Sequence, residues 1–178
     1  MIVTISGGTC SGKTEFALRC QDFGFERVIT NTTRKRRVDD NDNSYHFLTV
    51  DEFRNKLDNG EMLEYTEYNG NLYGCSVDCL IDNCVVVLEP NGVRALREKL
   101  GDKVISVYLK VSEKERFKRG ILRGDSEDTI KQRIEEDKEL FNDSFENDVD
   151  IVFMDMKKDD ICNMISTTLL DYIKEKDS

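Results

Sequence analysis

The sequence predicts an α/β fold with a three-layer core and an inserted α+β lobe. Two observations predict it: apolar, β-branched runs alternate with segments of helical character, and residues 32–83 differ in composition from the rest. The alternation implies a parallel sheet with helices on both faces. The 178 residues have room for one domain of ordinary size.

The core elements follow in order along the chain. Met1–Ser6 has the branched residues of a buried strand and leads through glycines into a helix at Lys13–Cys20. Later buried strands are predicted at Cys84–Leu88, Val104–Leu109 and Val149–Met154, and helices at Asn91–Leu100, Ser112–Arg119 and Ser126–Phe145. The last helix has one apolar stripe, formed by Ile161, Ile165, Leu169, Tyr172 and Ile173.

The inserted lobe is rich in Asn, Asp, Gly and Tyr. Short strands are predicted at Tyr45–Leu48, Met62–Thr66 and Asn71–Tyr73, around a helix near Asp51–Leu57. No repeat or linker interrupts the chain, so we expect a single domain over residues 1–178. Its parts are a core at about 1–31, 84–118 and 138–178 and a lobe at about 32–83.

Charge and hydropathy limit the function classes. With 26 basic and 36 acidic side chains, the formal net charge is −10. Gripping a nucleic-acid backbone needs many Lys and Arg contacts, so we expect local phosphate sites and no nucleic-acid partner. The longest apolar run, Cys84–Leu88, is far below the roughly 20 residues of a membrane span. We therefore expect a cytoplasmic protein with no membrane partner, and the oligomeric state stays open.

Cysteine and histidine usage narrows the chemistry further. The six cysteines form no C-x-x-C pair, which favours reduced thiols in a cytosol. A zinc site at Cys75, Cys79 and Cys84 is the alternative. His46 is the only histidine, so most nucleophilic schemes would need it as their base, although its strand-like surroundings favour a structural role.

A phosphate-binding motif follows the first strand. Its residues Gly7, Gly8, Thr9, Cys10, Ser11, Gly12, Lys13 and Thr14 fit the pattern G-x-x-x-x-G-K-[ST]. In such a loop, backbone N–H groups surround a β-phosphate, the lysine approaches the β- and γ-phosphates, and the final hydroxyl binds Mg²⁺. Its place between a strand and a helix favours a nucleoside-triphosphate site over a glycine-rich turn with a coincidental lysine.

A second group of cations follows the probable strand at Arg27–Ile29. Within this acidic chain, Arg34, Lys35, Arg36 and Arg37 occur together, which by itself also fits a solvated loop. Taken together with Tyr45, Glu64 and Tyr73, the segment points more specifically to a site that binds a phosphate and a base. Arginine forks and tyrosine hydroxyls can hold a phosphate, and a carboxylate can accept hydrogen bonds from a base edge.

With these residues the chain resembles guanylate kinase over nearly its full length. The matching pieces are the P-loop, Thr32–Arg37, Tyr45–Phe47, Leu63–Tyr65, Leu72–Gly74, Glu89 with Gly92, and the arginine-bearing segment Arg119–Arg133. The resemblance implies transfer of the γ-phosphate of ATP to GMP or dGMP, with Mg²⁺ as cofactor and residues 32–83 as the lobe that binds the nucleoside monophosphate (NMP). The implied GMP-binding residues are Thr30, Arg34, Arg37, Tyr45, Glu64, Tyr73, Cys75 and Glu89.

Physical chemistry supports the implied role of Glu64. Guanine presents N1–H and N2–H₂ donors side by side, and one carboxylate can accept both, whereas adenine has no N1–H. The alternative for Glu64 is a surface carboxylate beside a strand. No side-chain base is needed, because a phosphate monoester is largely dianionic at neutral pH.

The resemblance also implies a helical lid at about 119–137. It places Arg119, Arg123 and Arg133 on the ATP phosphates, where together with Lys13 they are the expected catalytic residues. Gly120 and Gly124 are predicted as flexible points. The alternative is a helix whose basic stripe pairs with Glu113, Glu115 and Glu127.

The sequence departs from the family pattern at three places. Val87 and Glu89 stand where the family usually has Asp-x-Asp, so Glu89 alone would contact Mg²⁺ or guanine. Cys75 replaces a Ser or Thr that helps to read the base, which predicts relaxed base selectivity, and Arg36 replaces a proline. Two other functions stay open: a kinase for another nucleoside monophosphate or a ribosyl bisphosphate, and a non-catalytic guanylate-kinase-like binding module.

Overall fold

The computed structural model describes residues 1–38, 40, 43–68 and 70–176. Its strands are β1 (Ile2–Ser6), β2 (Glu26–Arg27), β3 (Asn31–Thr32), β4 (His46–Phe47), β5 (Met62–Tyr68), β6 (Asn71–Ser76), β7 (Cys84–Val87), β8 (Val104–Lys110) and β9 (Ile151–Met154). Its helices are α1 (Lys13–Cys20), α2 (Val50–Asp58), α3 (Pro90–Leu100), α4 (Glu113–Arg123), α5 (Glu127–Leu140), α6 (Asp143–Asn147), α7 (Ile161–Met164) and α8 (Leu170–Lys176).

The core is built on a parallel sheet. Within the described residues its five strands run in the order β2-β7-β1-β8-β9. Every residue of the central strand β1 is buried, and alternate side chains enter two clusters on opposite faces. Val3 packs in one cluster with Phe16 and Leu169, and Ile2 packs in the other with Leu96. The predicted three-layer α/β core is therefore confirmed.

The inserted lobe has a sheet of its own. In the described part of the lobe, four strands run in the mixed order β4-β3-β6-β5, and β5 and β6 form an antiparallel pair. Helix α2 begins in a capping box between Thr49 and Glu52 and buries Phe53. This sheet begins at Asn31, one residue before the predicted lobe, so the chain passes directly from the core sheet into the lobe.

The predicted lid segment, about 119–137, spans the end of α4 and most of α5, and we refer to these two helices as the lid. The helix α4 ends at Gly124, whose φ of +94° suits a glycine. Gly120 differs from the expectation of a flexible point, because a Cβ there would lie 2.7 Å from Ile130 Cδ1. This glycine lets the two lid helices pack closely. The predicted helix over Ser126–Phe145 is divided into α5 and α6, since the Asn142 side chain accepts a hydrogen bond from the Phe145 N–H and begins a new helix.

The C-terminal helical segment keeps the predicted apolar stripe with one irregularity. Residues Ile165–Leu169 form a π turn between α7 and α8. Ile161, Ile165 and Leu169 are fully buried against the sheet, and Tyr172 and Ile173 pack partly against the same cluster. Through the described ranges of the chain, no helix has both the length and the apolar character that a membrane span requires.

Candidate active site

The P-loop lies between β1 and α1, as predicted. Cys10 and Gly12 have φ values of +62° and +98°, the left-handed backbone that a tight anion-binding loop uses. A Cβ on Gly7 would approach Leu109 O to 2.9 Å, so only glycine fits there. The Lys13 ammonium folds back over the loop and donates to the carbonyls of Gly7 and Gly8. A phosphate therefore has to compete with these carbonyls for Lys13.

Arg34 begins the second anion site. Its guanidinium makes a two-pronged pair with Asp40, with N–O distances of 2.8 and 3.1 Å, and is 9% exposed. It also lies over the rings of Tyr45 and Phe47, at 5.2 and 5.5 Å from the centroids. Asp40 additionally accepts from the Arg37 backbone N–H at 2.6 Å. The fork of Arg34 is thus held rigidly, with its orientation fixed by a carboxylate that sequence reasoning missed.

One cavity joins the P-loop, the lobe and the lid. It measures about 420 Å³ and is lined by Thr9 from the P-loop, by Arg34, Arg37, Tyr68, Gly70, Asn71 and Tyr73 from the lobe, and by Thr129, Gln132, Arg133 and Glu136 from the lid. Burial and then the charges of Arg34, Arg123 and Arg133 lower the pKa of Arg37. Cations from two distant segments of the chain therefore converge on one space, which is the electrostatic requirement of a site for anions.

A smaller cavity lies beside it. Its volume is about 20 Å³, and its walls are Thr30, Tyr45, Glu64, Thr66, Tyr73, Gly74, Val87, Leu88 and Glu89. Five of the eight predicted GMP-binding residues share this cavity: Thr30, Tyr45, Glu64, Tyr73 and Glu89. Tyr73 also lines the larger cavity, so the two spaces adjoin. The other predicted residues, Arg34 and Arg37, line the larger one, and Cys75 supports Glu64 from behind.

Glu64 is buried, and one of its carboxylate oxygens is left without a hydrogen-bond partner among the described residues. Its side chain is 7% exposed, and its Oε1 accepts from the Cys75 N–H at 2.9 Å. Its Oε2 is buried and has no hydrogen-bond partner among the described residues. A Cβ on Gly92 would come within 2.6 Å of this oxygen, so the glycine makes room for the carboxylate. Burial raises the pKa of Glu64 to about 7.

Glu89 closes the other side of the small cavity. It precedes Pro90 at the beginning of α3, and within the described part of the chain its Oε2 is buried without a partner. Burial raises its pKa to about 7, although the charge of Lys13 acts in the opposite direction. Glu89 thus lies within electrostatic range of the P-loop lysine and also lines the small cavity.

Asp137 connects the three parts of the site. This α5 carboxylate is 1% exposed, accepts from the Thr9 N–H at 2.7 Å, and receives short hydrogen bonds from the Arg116 guanidinium and the Tyr68 hydroxyl. Tyr68 also lies 3.1 Å from Thr9 Oγ1. One lid residue therefore holds a P-loop amide and a lobe tyrosine together, and Arg116 is its buried counterion.

The three predicted lid arginines occupy different positions. Arg133 lines the large cavity. Arg123 pairs with Asp125, and its charge offsets part of the burial that raises the pKa of the Cys10 thiol in the P-loop. Arg119 lies outside the cavity and donates to the Ser11 carbonyl at 3.1 Å and to the Met156 carbonyl at 2.7 Å. Because Arg119 also pairs with Glu115 at 3.0 Å, the alternative of a paired basic stripe describes this one residue well.

Sequence reasoning missed Asp40, Tyr68 and Asp137. Asp40 and Tyr68 are near the predicted motifs in sequence, so proximity could have drawn attention to them. Asp137 belongs to a strongly acidic segment, Glu135–Glu139, and nothing in the sequence separates it from its solvated neighbours. In the described residues no group of three or more His, Cys, Asp or Glu side chains is arranged to hold a metal ion, so the alternative of a zinc site at the cysteines finds no support.

Comparisons with known proteins agree with this geometry. The guanylate kinase family matches residues 3–172. The guanylate kinase of Lactococcus lactis subsp. lactis is 34% identical over 151 residues, or 78% of this chain and 73% of that protein. That of Campylobacter jejuni (strain RM1221) is 29% identical over 141 residues, or 74% and 68%. The crystal structure of guanylate kinase from Anaplasma phagocytophilum aligns with a TM-score of 0.75 at 23% identity, covering 97% of this chain and 85% of that one. A P-loop and an arginine-lined cavity thus occur in a chain that belongs to the guanylate kinase family of nucleoside monophosphate kinases.

Proposed function

We propose that the enzyme transfers the γ-phosphoryl group of ATP to GMP across the cavity that Thr9, Arg34, Arg37 and Arg133 line together. The observation that carries this assignment of roles is the convergence of P-loop, lobe and lid on that single space of about 420 Å³. Two polyanions can meet only where their charge is neutralised, and this cavity brings cations from two directions to the mouth of the P-loop.

The lobe holds the acceptor phosphate. Arg34 and Arg37 bind its oxygens, and Tyr45 and Tyr73 supply hydroxyl groups from the adjoining wall. Asp40 keeps the Arg34 fork in one orientation, so little side-chain entropy is lost when the phosphate arrives. The acceptor oxygen enters already deprotonated, since the second pKa of a phosphate monoester is near 6. The protein's part is to position it in line with the γ-phosphorus.

The P-loop holds the donor. Lys13 exchanges its carbonyl partners for the β- and γ-phosphate oxygens, while loop amides surround the phosphates. Arg133, with Arg123 beside it, completes the neutralisation from the lid. Arg119 supports the loop through the Ser11 carbonyl.

The small cavity reads the base. Glu64 Oε2, buried and without a partner in the part of the chain that the structure describes, accepts from guanine N1–H and N2–H₂. The cavity of about 20 Å³ has room for about one water molecule, so the lobe has to move outward to admit the ring. GMP and dGMP present the same guanine N1–H and N2–H₂ donors to Glu64, so the choice between them is tested by measuring turnover with each.

The residues present also fit a magnesium ion. Thr14 offers a hydroxyl at the beginning of α1, and Glu89 offers a buried carboxylate oxygen that lacks a partner among the described residues. Hard oxygen donors of this kind are the ligands that Mg²⁺ prefers. When bound with ATP, the ion supplies charge neutralisation between the β- and γ-phosphates. We also propose a cytoplasmic location, which is compatible with the six free cysteines.

The test is an ADP-release assay with ATP, Mg²⁺ and each of GMP, dGMP, AMP, CMP and UMP. We expect turnover with guanine nucleotides, and we expect Lys13→Ala to abolish it while the far-ultraviolet circular dichroism stays unchanged. Lys131→Ala is the matched control, because Lys131 is an exposed lid lysine that lines neither of the two cavities; it pairs with Glu127 at 3.1 Å and lies 5.8 Å from the centre of the Phe117 ring. Near-normal kcat in Lys13→Ala would contradict the assignment, and turnover with none of the acceptors would favour the non-catalytic binding module.

A further inference from the structure

Two cysteine thiols meet directly behind the base pocket. Cys75 lies near the end of β6 and is fully buried, and Cys79 follows a turn closed by the hydrogen bond from its own N–H to Ser76 O. The turn folds the chain back, so that the two sulfur atoms are 2.7 Å apart. Cys79 is half-buried and therefore within reach of small solutes, whereas Cys75 is not.

Hydrogen bonding gives the two thiols different characters. Either sulfur can be the donor in the contact between them, and the Ser76 carbonyl oxygen lies 2.8 Å from the Cys79 sulfur and 3.6 Å from the Cys75 sulfur. With Cys75 as the donor, its S–H stabilises the thiolate form of Cys79. This bond from Cys75 lowers the pKa of the Cys79 thiol. The same bond, followed by burial, raises the pKa of Cys75. The accessible cysteine is thus the one whose thiolate is favoured, and the thiolate is the nucleophilic form.

We propose that Cys75 and Cys79 form an oxidation site, at which hydrogen peroxide converts the thiol pair into a disulfide behind the guanine pocket. In the first step the Cys79 thiolate attacks one peroxide oxygen, the O–O bond breaks, and a sulfenic acid and water form after uptake of one proton. In the second step the Cys75 sulfur attacks the sulfenic sulfur, and the S–OH bond breaks. The hydroxyl leaves as water with the Cys75 proton, so the sulfur pair is oxidised by two electrons while one peroxide is reduced to two waters.

The geometry favours this closure over further oxidation. A sulfur–sulfur bond is about 2.05 Å long, so the thiols need to approach by less than one ångström. A sulfenic acid with a thiol already beside it condenses rather than persists. The exposed Cys162 offers the comparison, because the described part of the chain holds no second cysteine beside it.

The disulfide has a consequence for the acceptor site, and this part rests on the proposed function. The Cys75 N–H is the donor that holds Glu64 Oε1 at 2.9 Å. Tying Cys75 to the turn draws this amide away from Glu64, so the carboxylate loses its fixed orientation toward the base. We expect the KM for GMP to rise about fivefold, the effect of losing one ordinary hydrogen bond, with the KM for ATP unchanged.

The site itself is tested without any activity measurement. The full-length protein is treated with hydrogen peroxide under native conditions, its remaining thiols are alkylated, and its peptides are mapped by mass spectrometry. We expect a Cys75–Cys79 linkage, two hydrogen atoms lighter than the dithiol and reversed by dithiothreitol. Cys79→Ser should prevent the linkage, and Cys162→Ser should leave it intact. Two results would overturn the proposal. One is that Cys75 and Cys79 are both alkylated after a treatment that oxidises Cys162. The other is that Cys79 becomes a sulfinic acid and the linkage is not found.

Steady-state kinetics then test whether the disulfide changes the binding of GMP, separately from whether the disulfide forms. In oxidised wild-type protein and in Cys162→Ser we expect the higher KM for GMP, restored by dithiothreitol, and in Cys79→Ser no response to peroxide. A disulfide that forms without any change in this KM would refute the link to Glu64. A rise in the KM for ATP instead would assign the effect to the P-loop residue Cys10. If the protein phosphorylates no nucleotide, the proposed function fails while the mapped linkage still stands.

Discussion

Replacing Glu64 with glutamine tests the base pocket through stability and catalysis together. The Glu64 carboxyl is buried, and one of its oxygens lacks a partner among the described residues, so its charge is costly in the ligand-free protein. Glutamine keeps the shape and the acceptor for the Cys75 N–H but does not titrate. The variant should therefore change how stability depends on pH.

The sign follows from the direction of the pKa shift. Burial raises the pKa of Glu64 from 4.5 to about 7, so the folded protein binds this proton more tightly than the unfolded chain. The contribution to the free energy of unfolding is fully present below the unfolded pKa and is lost as the pH rises through the folded pKa. For this shift, the loss between about pH 5 and about pH 8 is about 2 to 3 kcal/mol.

Urea unfolding at the two pH values measures this quantity. We expect the wild-type protein to lose about 2 to 3 kcal/mol more stability than Glu64→Gln on going from about pH 5 to about pH 8. The cost of burying the glutamine amide does not depend on pH, so it cancels when the change in the free energy of unfolding between the two pH values is compared for the two proteins. Glu67→Gln is the matched control, since Glu67 lies exposed on the same strand, and it should keep the wild-type pH dependence.

The same variant should lose catalytic efficiency with guanine nucleotides. Removing a charge-assisted pair costs about 1.5 to 3 kcal/mol, so kcat/KM for GMP should fall about 10- to 100-fold at about pH 8. A Glu64→Gln variant with the wild-type pH dependence of stability would refute the buried, proton-binding carboxylate. An equal loss of kcat/KM for every acceptor would show that Glu64 supports the lobe rather than reading the base.

Three further substitutions test single contacts. Gly92→Ala places a Cβ 2.6 Å from Glu64 Oε2, so we expect steady-state kinetics to show a higher KM for GMP and an unchanged KM for ATP; equal values for GMP would refute the close approach. Asp137→Asn leaves Arg116 buried without its counterion and should lower the free energy of unfolding by about 3 kcal/mol in urea, whereas the exposed control Glu135→Gln should change it little. Arg34→Lys loses the two-pronged geometry and should raise the KM for GMP about tenfold, and a rise for ATP alone would contradict the role of Arg34.

The local elements of the fold were predictable because their signals are local. The branched residues of Met1–Ser6 and the glycines and lysine that follow define a strand, a phosphate loop and a helix within 20 residues. Element ends were less predictable. The break between α5 and α6 depends on the Asn142 cap, and the π turn at Ile165–Leu169 interrupts an otherwise regular stripe.

Some residues of the candidate site were predictable from the sequence, and others were not. Arg34, Tyr45, Glu64 and Tyr73 were identifiable from motifs and resemblance, and the structure brings them to two adjoining cavities. The position of Arg119 on the Ser11 carbonyl was not identifiable, because a basic helix stripe does not reveal which cation faces the cavity.

The amino-acid order alone determined the α/β class, the P-loop and the residue types that bind a second anion, since each rests on spacing along a short stretch of chain. Tertiary structure decided which carboxylates are buried and what they contact. Asp137 reaches Thr9 across 128 positions in the sequence, and Glu64 faces the room left by Gly92. Such contacts depend on how the sheet, lobe and lid pack together, and burial then raises the pKa of Glu64 above its usual value.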